Sequence, residues 1–155
     1  MANKAKIKDI IEEMEMQIDG YRSFINTRTG EVISVSEDDL RDAEDEKPIN
    51  NLHDWQIVNL EIANEIVENF EDYKELPTKY EINEYEIIED FCLTIHDEKI
   101  QRMLLISIGG KGAFRRFKDM IKELEVEMDW YKYRDNRYKE LAIGWCQNNK
   151  VEYID

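Results

Sequence analysis

Ile7, Ile10, Ile11, Met14 and Ile18 recur at helical spacing with lysine and glutamate between them, which predicts an amphipathic helix over residues 4–17, ended by Asp19-Gly20. Two β-rich runs follow, Tyr21 to Asn26 and Glu31 to Ser36. The Thr27-Arg28-Thr29-Gly30 segment between them predicts a hairpin, with Gly30 in the left-handed conformation. From Asp54 a second helical pattern runs to about Asn69, with Trp55, Val58, Ile62, Ile66 and Phe70 on one face. Leu76-Pro77 keeps residues 71–80 extended, because the residue before proline is pushed out of the helical region. A third helix restarts at Asn83 with Tyr85, Ile88, Phe91, Cys92 and Ile95 as its apolar face. Asp97 is then placed to cap a further helix carrying Ile100, Met103, Leu104 and Ile108, which Gly109-Gly110 stops.

After Gly112, the residues Ala113, Phe114, Phe117, Ile121, Leu124 and Met128 are spaced for another helix. Trp130 to Tyr133 form a turn or the start of the next element, and a last helix spans about 135–147 through Tyr138, Leu141, Ala142 and Trp145. Val151 to Ile154 can pair as a short strand. The sum is a mostly helical α+β chain, one N-terminal β-hairpin packed with about six helices, in a single domain over 1–155. Residues 37–46, EDDLRDAEDE, hold seven acids against Arg41 and little to bury, and Pro48 follows, so 37–50 reads as a mobile acidic loop.

Charge changes this picture more than composition does. The net charge of -15 repels nucleic acid and anionic membranes on average, yet residues 1–100 hold 10 basic and 27 acidic residues while 101–155 hold 11 and 9. Such a chain can satisfy its basic elements against an acidic neighbour in the same molecule or in a second copy. The longest strongly apolar stretch, Met103 to Ile108, is far below the roughly 20 residues that span a bilayer. The N-terminus runs from lysines into acids without an apolar signal region, which is the pattern of a cytoplasmic protein. Cys92 and Cys146 form no C-x-x-C pair and read as reduced thiols in packed helices.

The segment from Gly109 to Asp119 is the most distinctive candidate for chemistry. Three glycines permit close backbone approach, a helix N-terminus follows, and Lys111, Arg115, Arg116 and Lys118 stand nearby, which together can cradle an anion or meet a partner. Neither G-x-x-x-x-G-K-[ST] nor G-x-G-x-x-G spacing is present, so no nucleotide chemistry is assigned. The competing reading is a tight helix-to-helix turn with Phe114 and Phe117 in the core and the arginines paired to acids. A second surface, Trp130, Lys132, Arg134 and Arg137, interleaves aromatics with cations as single-strand binders do, although Trp130 and Tyr138 also suit a core.

Cys92 and His96 lie four apart, but a zinc site wants about four ligands, and no cofactor or metal site is indicated. No nucleophile signature is present, and an enzyme built from carboxylates and arginine stays unspecified. These features favour a macromolecular interaction or regulatory module, its partner another protein or a second copy. Phosphate, nucleotide or RNA binding through 109–118 is the alternative, and no membrane is implied.

The stretch GKGAFRRFKD, with the downstream Trp130-Tyr131 and the closing Trp145-Cys146-Gln147-Asn148-Asn149, resembles the bacterial uncharacterised protein family 0158. The hairpin around Thr29-Gly30-Glu31-Val32, the Glu71-Asp72-Tyr73-x-x-Leu76-Pro77 stretch and Tyr85-x-x-Ile88-Glu89-Asp90-Phe91 extend the likeness over nearly the whole chain. The resemblance implies a cytosolic bacterial single-domain protein with no established activity.

Overall fold

The computed structural model describes residues 4–49 and 52–155, and the parts of the expected N-terminal start and acidic loop that fall on residues 1–3 and 50 lie outside them. In chain order the elements are β1 (Ala5–Lys6), α1 (Ile7–Glu15), β2 (Tyr21–Asn26), β3 (Val32–Ser36), α2 (Glu37–Glu44), α3 (Asp54–Glu68), β4 (Tyr73–Glu75), α4 (Lys79–Ile82), α5 (Glu84–Thr94), α6 (Glu98–Ser107), α7 (Ala113–Glu123), α8 (Glu127–Asn148) and β5 (Tyr153–Ile154). A single 3₁₀ turn, Phe70–Asp72, precedes β4. The chain is α+β and mostly helical, with eight α-helices among the described residues where about six were expected. It forms two compact units, one of residues up to Lys79 together with Leu141–Asp155, the other Tyr80–Glu140.

In the first unit the hairpin forms as its pattern predicts, with Phe24 opposite Ile33, and β4 adds antiparallel on the other side of β2. The Asn26 side chain accepts from the Arg28 and Thr29 amides at 2.9 and 3.4 Å and shapes the turn. Gly30 closes it at φ +77°, and a Cβ there would stand 2.7 Å from the Lys4 carbonyl oxygen, so conformation and space both require glycine. The tail pairs as a strand, β5 running parallel to β1.

Residues 37–44 are helical and not a loop. Ser36 caps α2 by accepting from the Asp39 amide at 3.0 Å, and Glu37, Asp38 and Asp39 fall in the first turn, where the helix dipole favours negative charge. Leu40 and Ala43 are buried in a core shared with Phe24, Val35, Leu60, Ala63, Ile66 and Tyr73. Two apolar residues four-fifths of a turn apart suffice to dock so short a helix, which counting acids overlooks.

The face of α3 also differs from expectation. Of the expected face Ile66 is buried and Ile62 packs partly against the core, joined by Leu60 and Ala63, whereas Trp55, Val58 and Phe70 are exposed. Apolar residues recur along two stripes of this helix, and both satisfy a 3.6-residue period; the stripe that meets the α2 and hairpin side chains is the one buried.

The second unit is helical. Asn83 caps α5 by accepting from the Glu86 amide, and Asp97 caps α6 by accepting from the Lys99 and Ile100 amides at 3.0 and 3.1 Å. Its core is aromatic: Phe91, Phe117 and Trp130 meet edge to face at centroid distances of 5.0 to 6.2 Å, with Tyr133 tilted against Phe91. Residues 130–133 lie inside α8, with no turn. The chain bends earlier, at Glu125 in the left-handed region, and from Val126 onward no glycine or proline interrupts the helix until Gly144.

Candidate functional site

The turn from Gly109 to Gly112 joins α6 to α7, with Gly110 and Gly112 at φ +75° and +77°. Arg116, on the first turns of α7, folds back over it. Its Nε donates to the Ser107 carbonyl at 2.9 Å, and its two terminal nitrogens donate to the carbonyls of Lys111 and Gly109. These are carbonyls that the end of a helix and a tight turn leave without amide partners, and a cation placed there also complements the negative end of the α6 dipole. Gly112 belongs to the same arrangement, since a Cβ at that position would approach Arg116 Nη1 to 3.0 Å. The tight-turn reading of this segment is therefore right for Arg116, but through main-chain carbonyls and not through acids.

Lys111, Arg115 and Lys118 are exposed, and none makes an ion pair among the described residues. Phe114 stands with them. It is 49% exposed, while Phe117, three residues on, is 1% exposed. The expectation that both rings enter the core fails for Phe114: the buried stripe of α7 is Ala113, Phe117 and Ile121, spaced four apart, and Phe114 lies one residue, about 100° of helical rotation, beyond Ala113. Phe114 and Lys118 are themselves four apart, and Arg115 and Lys118 three apart, so ring and cations share one exposed face.

The second surface separates on folding. Trp130 is 4% exposed, inside the aromatic core, and is removed as a stacking platform. Arg134 Nε donates to Glu84 at 2.9 Å, and its guanidinium lies 4.4 Å from the Tyr138 ring centre. Arg137 donates to Asp90 at 3.0 Å and to the Tyr133 hydroxyl at 2.9 Å. The hydrogen bond to Asp90 pushes the Arg137 pKa further up. Both arginines tie α8 to α5 and are committed to the fold. Of these four candidates Lys132 keeps an exposed side chain, with no hydrogen bond or ion pair among the described residues.

Lys132 lies on an open cleft of about 470 Å³, formed by the last turn of α5 with Ile95 and His96, and by Val126 with the first turns of α8. No sequence pattern marked this cleft, because its walls come from segments some thirty residues apart.

Cys92 and Cys146 are free and fully buried, and burial pushes each pKa up to about 11. Cys92 is enclosed while His96 is exposed, and no group of three metal-ligating side chains gathers among the described residues. No helix there is long and apolar enough to cross a membrane.

Comparison with known proteins places these features in a family without ascribing an activity to it. No solved structure matches the chain. A Pseudomonas aeruginosa protein named for the same uncharacterised family is 25% identical over 67 residues, which span 43% of this chain and 44% of that protein. The model of the uncharacterised protein family UPF0158 matches residues 4–155, and the chain belongs to that family.

Proposed function

We propose that this chain is a cytoplasmic interaction module whose contact face is the exposed side of α7 with the turn before it, and whose partner presents an acidic protein surface. One observation carries the reading. Phe114, Lys111, Arg115 and Lys118 are exposed together, while the nearby Arg116, Arg134 and Arg137 are consumed by internal bonds. A half-exposed aromatic ringed by unpaired cations is the composition of an interface anchor, where aromatic and arginine side chains carry most of the binding energy. The buried thiols suit a reducing compartment.

A protein partner is favoured over nucleic acid on two counts. The net charge of -15 opposes phosphate binding, and the burial of Trp130 and Tyr138 withdraws two of the rings on which bases would stack. The first unit, with 22 acidic and 10 basic residues, makes a second copy of the chain the simplest partner of this chemistry.

Sedimentation of the full chain at low and moderate salt tests this. The expected result is concentration-dependent association that weakens with salt and is lost in a Phe114→Ala/Arg115→Ala/Lys118→Ala variant with unchanged melting temperature. Association that survives in that variant overturns the reading. Single-stranded RNA that binds the wild type and not the variant, with no self-association, transfers the face to the nucleic-acid alternative. We also infer a single domain, since α8 supplies residues to both compact units. One calorimetric transition is expected, and two would divide the chain.

A further inference from the structure

We propose that the cleft between the end of α5 and the start of α8 binds a free α-amino acid with an apolar side chain. The proposal is independent of the α7 face. At about 470 Å³ the cleft falls within the usual range for small-molecule sites, roughly 300–1,000 Å³. Phe91 and Val126, both buried, and the ring of Tyr133 supply an apolar floor. Along α8 the residues Asp129, Lys132 and Asn136 follow at intervals of three and four, which places them on one stripe above that floor, and His96 faces it from beyond α5.

These polar groups are exposed, and none takes an internal hydrogen bond or ion pair among the described residues. Around the cleft the fold uses its hydrogen-bonding capacity internally. The Thr94 hydroxyl donates to Phe91, the Gln101 amide donates to the carbonyls of Cys92, Leu93 and Ile95 that end α5, and Arg137 is divided between Asp90 and the Tyr133 hydroxyl. Asp129, Lys132, Asn136 and His96 take no part in any of this. Asp129 and Lys132 are one turn apart and of opposite charge, the spacing at which helical ion pairs form, yet they do not pair with each other.

A carboxylate and an ammonium left open side by side over an apolar floor complement a ligand with the same two charges reversed and an apolar body. An α-amino acid has that arrangement. Its ammonium is met by Asp129, its carboxylate by Lys132 with the Asn136 amide, and its side chain by Phe91, Val126 and Tyr133. A purely anionic ligand leaves Asp129 facing like charge, and a purely cationic one does the same to Lys132, so both are selected against.

Titration calorimetry of the full chain with L-phenylalanine, and separately with its deaminated acid and its decarboxylated amine, tests the assignment. The expected result is saturable binding of the amino acid at concentrations up to about 10 mM, with neither analogue binding as well. Asp129→Asn and Lys132→Gln are each expected to weaken it at least about tenfold, as loss of a charge-assisted contact does. Neither side chain makes an internal hydrogen bond or ion pair among the described residues, so Lys132→Gln should melt with the wild type and Asp129→Asn, in the first turn of α8, should lose only the small helix-dipole contribution; either variant alone suffices to decide. No heat of binding overturns the proposal. So does binding unchanged in both variants, or an analogue that binds as tightly as the amino acid.

Discussion

In the first unit Arg22, Arg28, Arg41, Lys47 and Lys79 each reach a carboxylate, Glu75, Asp72, Asp38, Asp42 and Asp19 in turn, and all five of these cations are largely exposed. In the second unit Arg134 and Arg137 are largely covered where they meet Glu84 and Asp90, Arg116 meets carbonyls, and Lys111, Arg115, Lys118 and Lys132 make no ion pair among the described residues. These five of the acid-rich unit's ten basic residues thus pair at the surface, where such pairs contribute little. The other unit, with 14 acids to 11 bases, uses Arg116, Arg134 and Arg137 as structural ties and leaves Lys111, Arg115, Lys118 and Lys132 without an ion pair among the described residues. A local excess of positive charge in the sequence is therefore a poor guide to a site. What matters is which of the cations the fold has already consumed.

The cores differ as sharply, and this difference predicts the largest effects. Phe117→Ala should cost about 3–5 kcal/mol, because it opens a hole beside Phe91 and Trp130 that flat rings cannot close by small shifts. Leu60→Ala in the mainly aliphatic core of the first unit should cost about 2–5 kcal/mol. Phe114→Ala should stay below about 1 kcal/mol, as for a surface position. Urea unfolding of the three variants checks the order. A Phe114→Ala cost equal to that of Phe117→Ala would place both rings in the core and remove the anchor from α7.

Next in size is the contrast between adjacent arginines. Arg116→Ala strips donors from the Ser107, Lys111 and Gly109 carbonyls and should cost roughly 1–3 kcal/mol, whereas Arg115→Ala should fall within about 0.5 kcal/mol of the wild type. Binding should respond in the opposite sense, with Arg115→Ala losing partner affinity at unchanged stability. If both substitutions destabilise alike, Arg115 is also a structural tie.

What the chain order reveals and what it hides can be read from these positions. The hairpin around Gly30, the start of α5 at Asn83 and the cap of α6 at Asp97 were legible, because each is decided by groups within four residues of one another. The inward stripe of α3 was not, since Trp55 and Val58 obey the helical period as well as Leu60 and Ala63 do, and only the neighbouring element chooses between them. Arg116 stood out in the chain as a cation, whereas the groups it meets are carbonyl acceptors, which leave no trace in side-chain identity. Asp129 went unmarked, and His96 was weighed only beside Cys92, because a cleft is a property of two segments together.

The two buried thiols, one in each unit, give the alkaline limit of stability. Each stays protonated in the fold up to about 11, against an ordinary value near 9. Above pH 9 the unfolded chain therefore releases these protons first. The stabilisation is complete below 9, falls through 10 and is gone above 11, which amounts to roughly 1 kcal/mol per thiol at pH 10. Urea midpoints at pH 8 and 10 should drop less in Cys92→Ala/Cys146→Ala than in the wild type. An equal drop would mean that burial does not hold the thiols neutral.

The smallest effect tests the most acidic segment of the first unit. If α2 owes its existence to its cap and to Leu40 and Ala43, then Ser36→Ala, which removes the acceptor for the Asp39 amide, should cost about 1 kcal/mol. Ser36→Asp should recover most of that loss, since aspartate caps as well as serine and its charge stands at the positive end of the helix dipole. Amide exchange at residues 39–44 localises the change: protection should fall in the alanine variant and return in the aspartate variant. An alanine variant with wild-type stability and exchange would mean that the run is held by its docking alone. The acids would then be passengers on a helix that two apolar side chains hold in place.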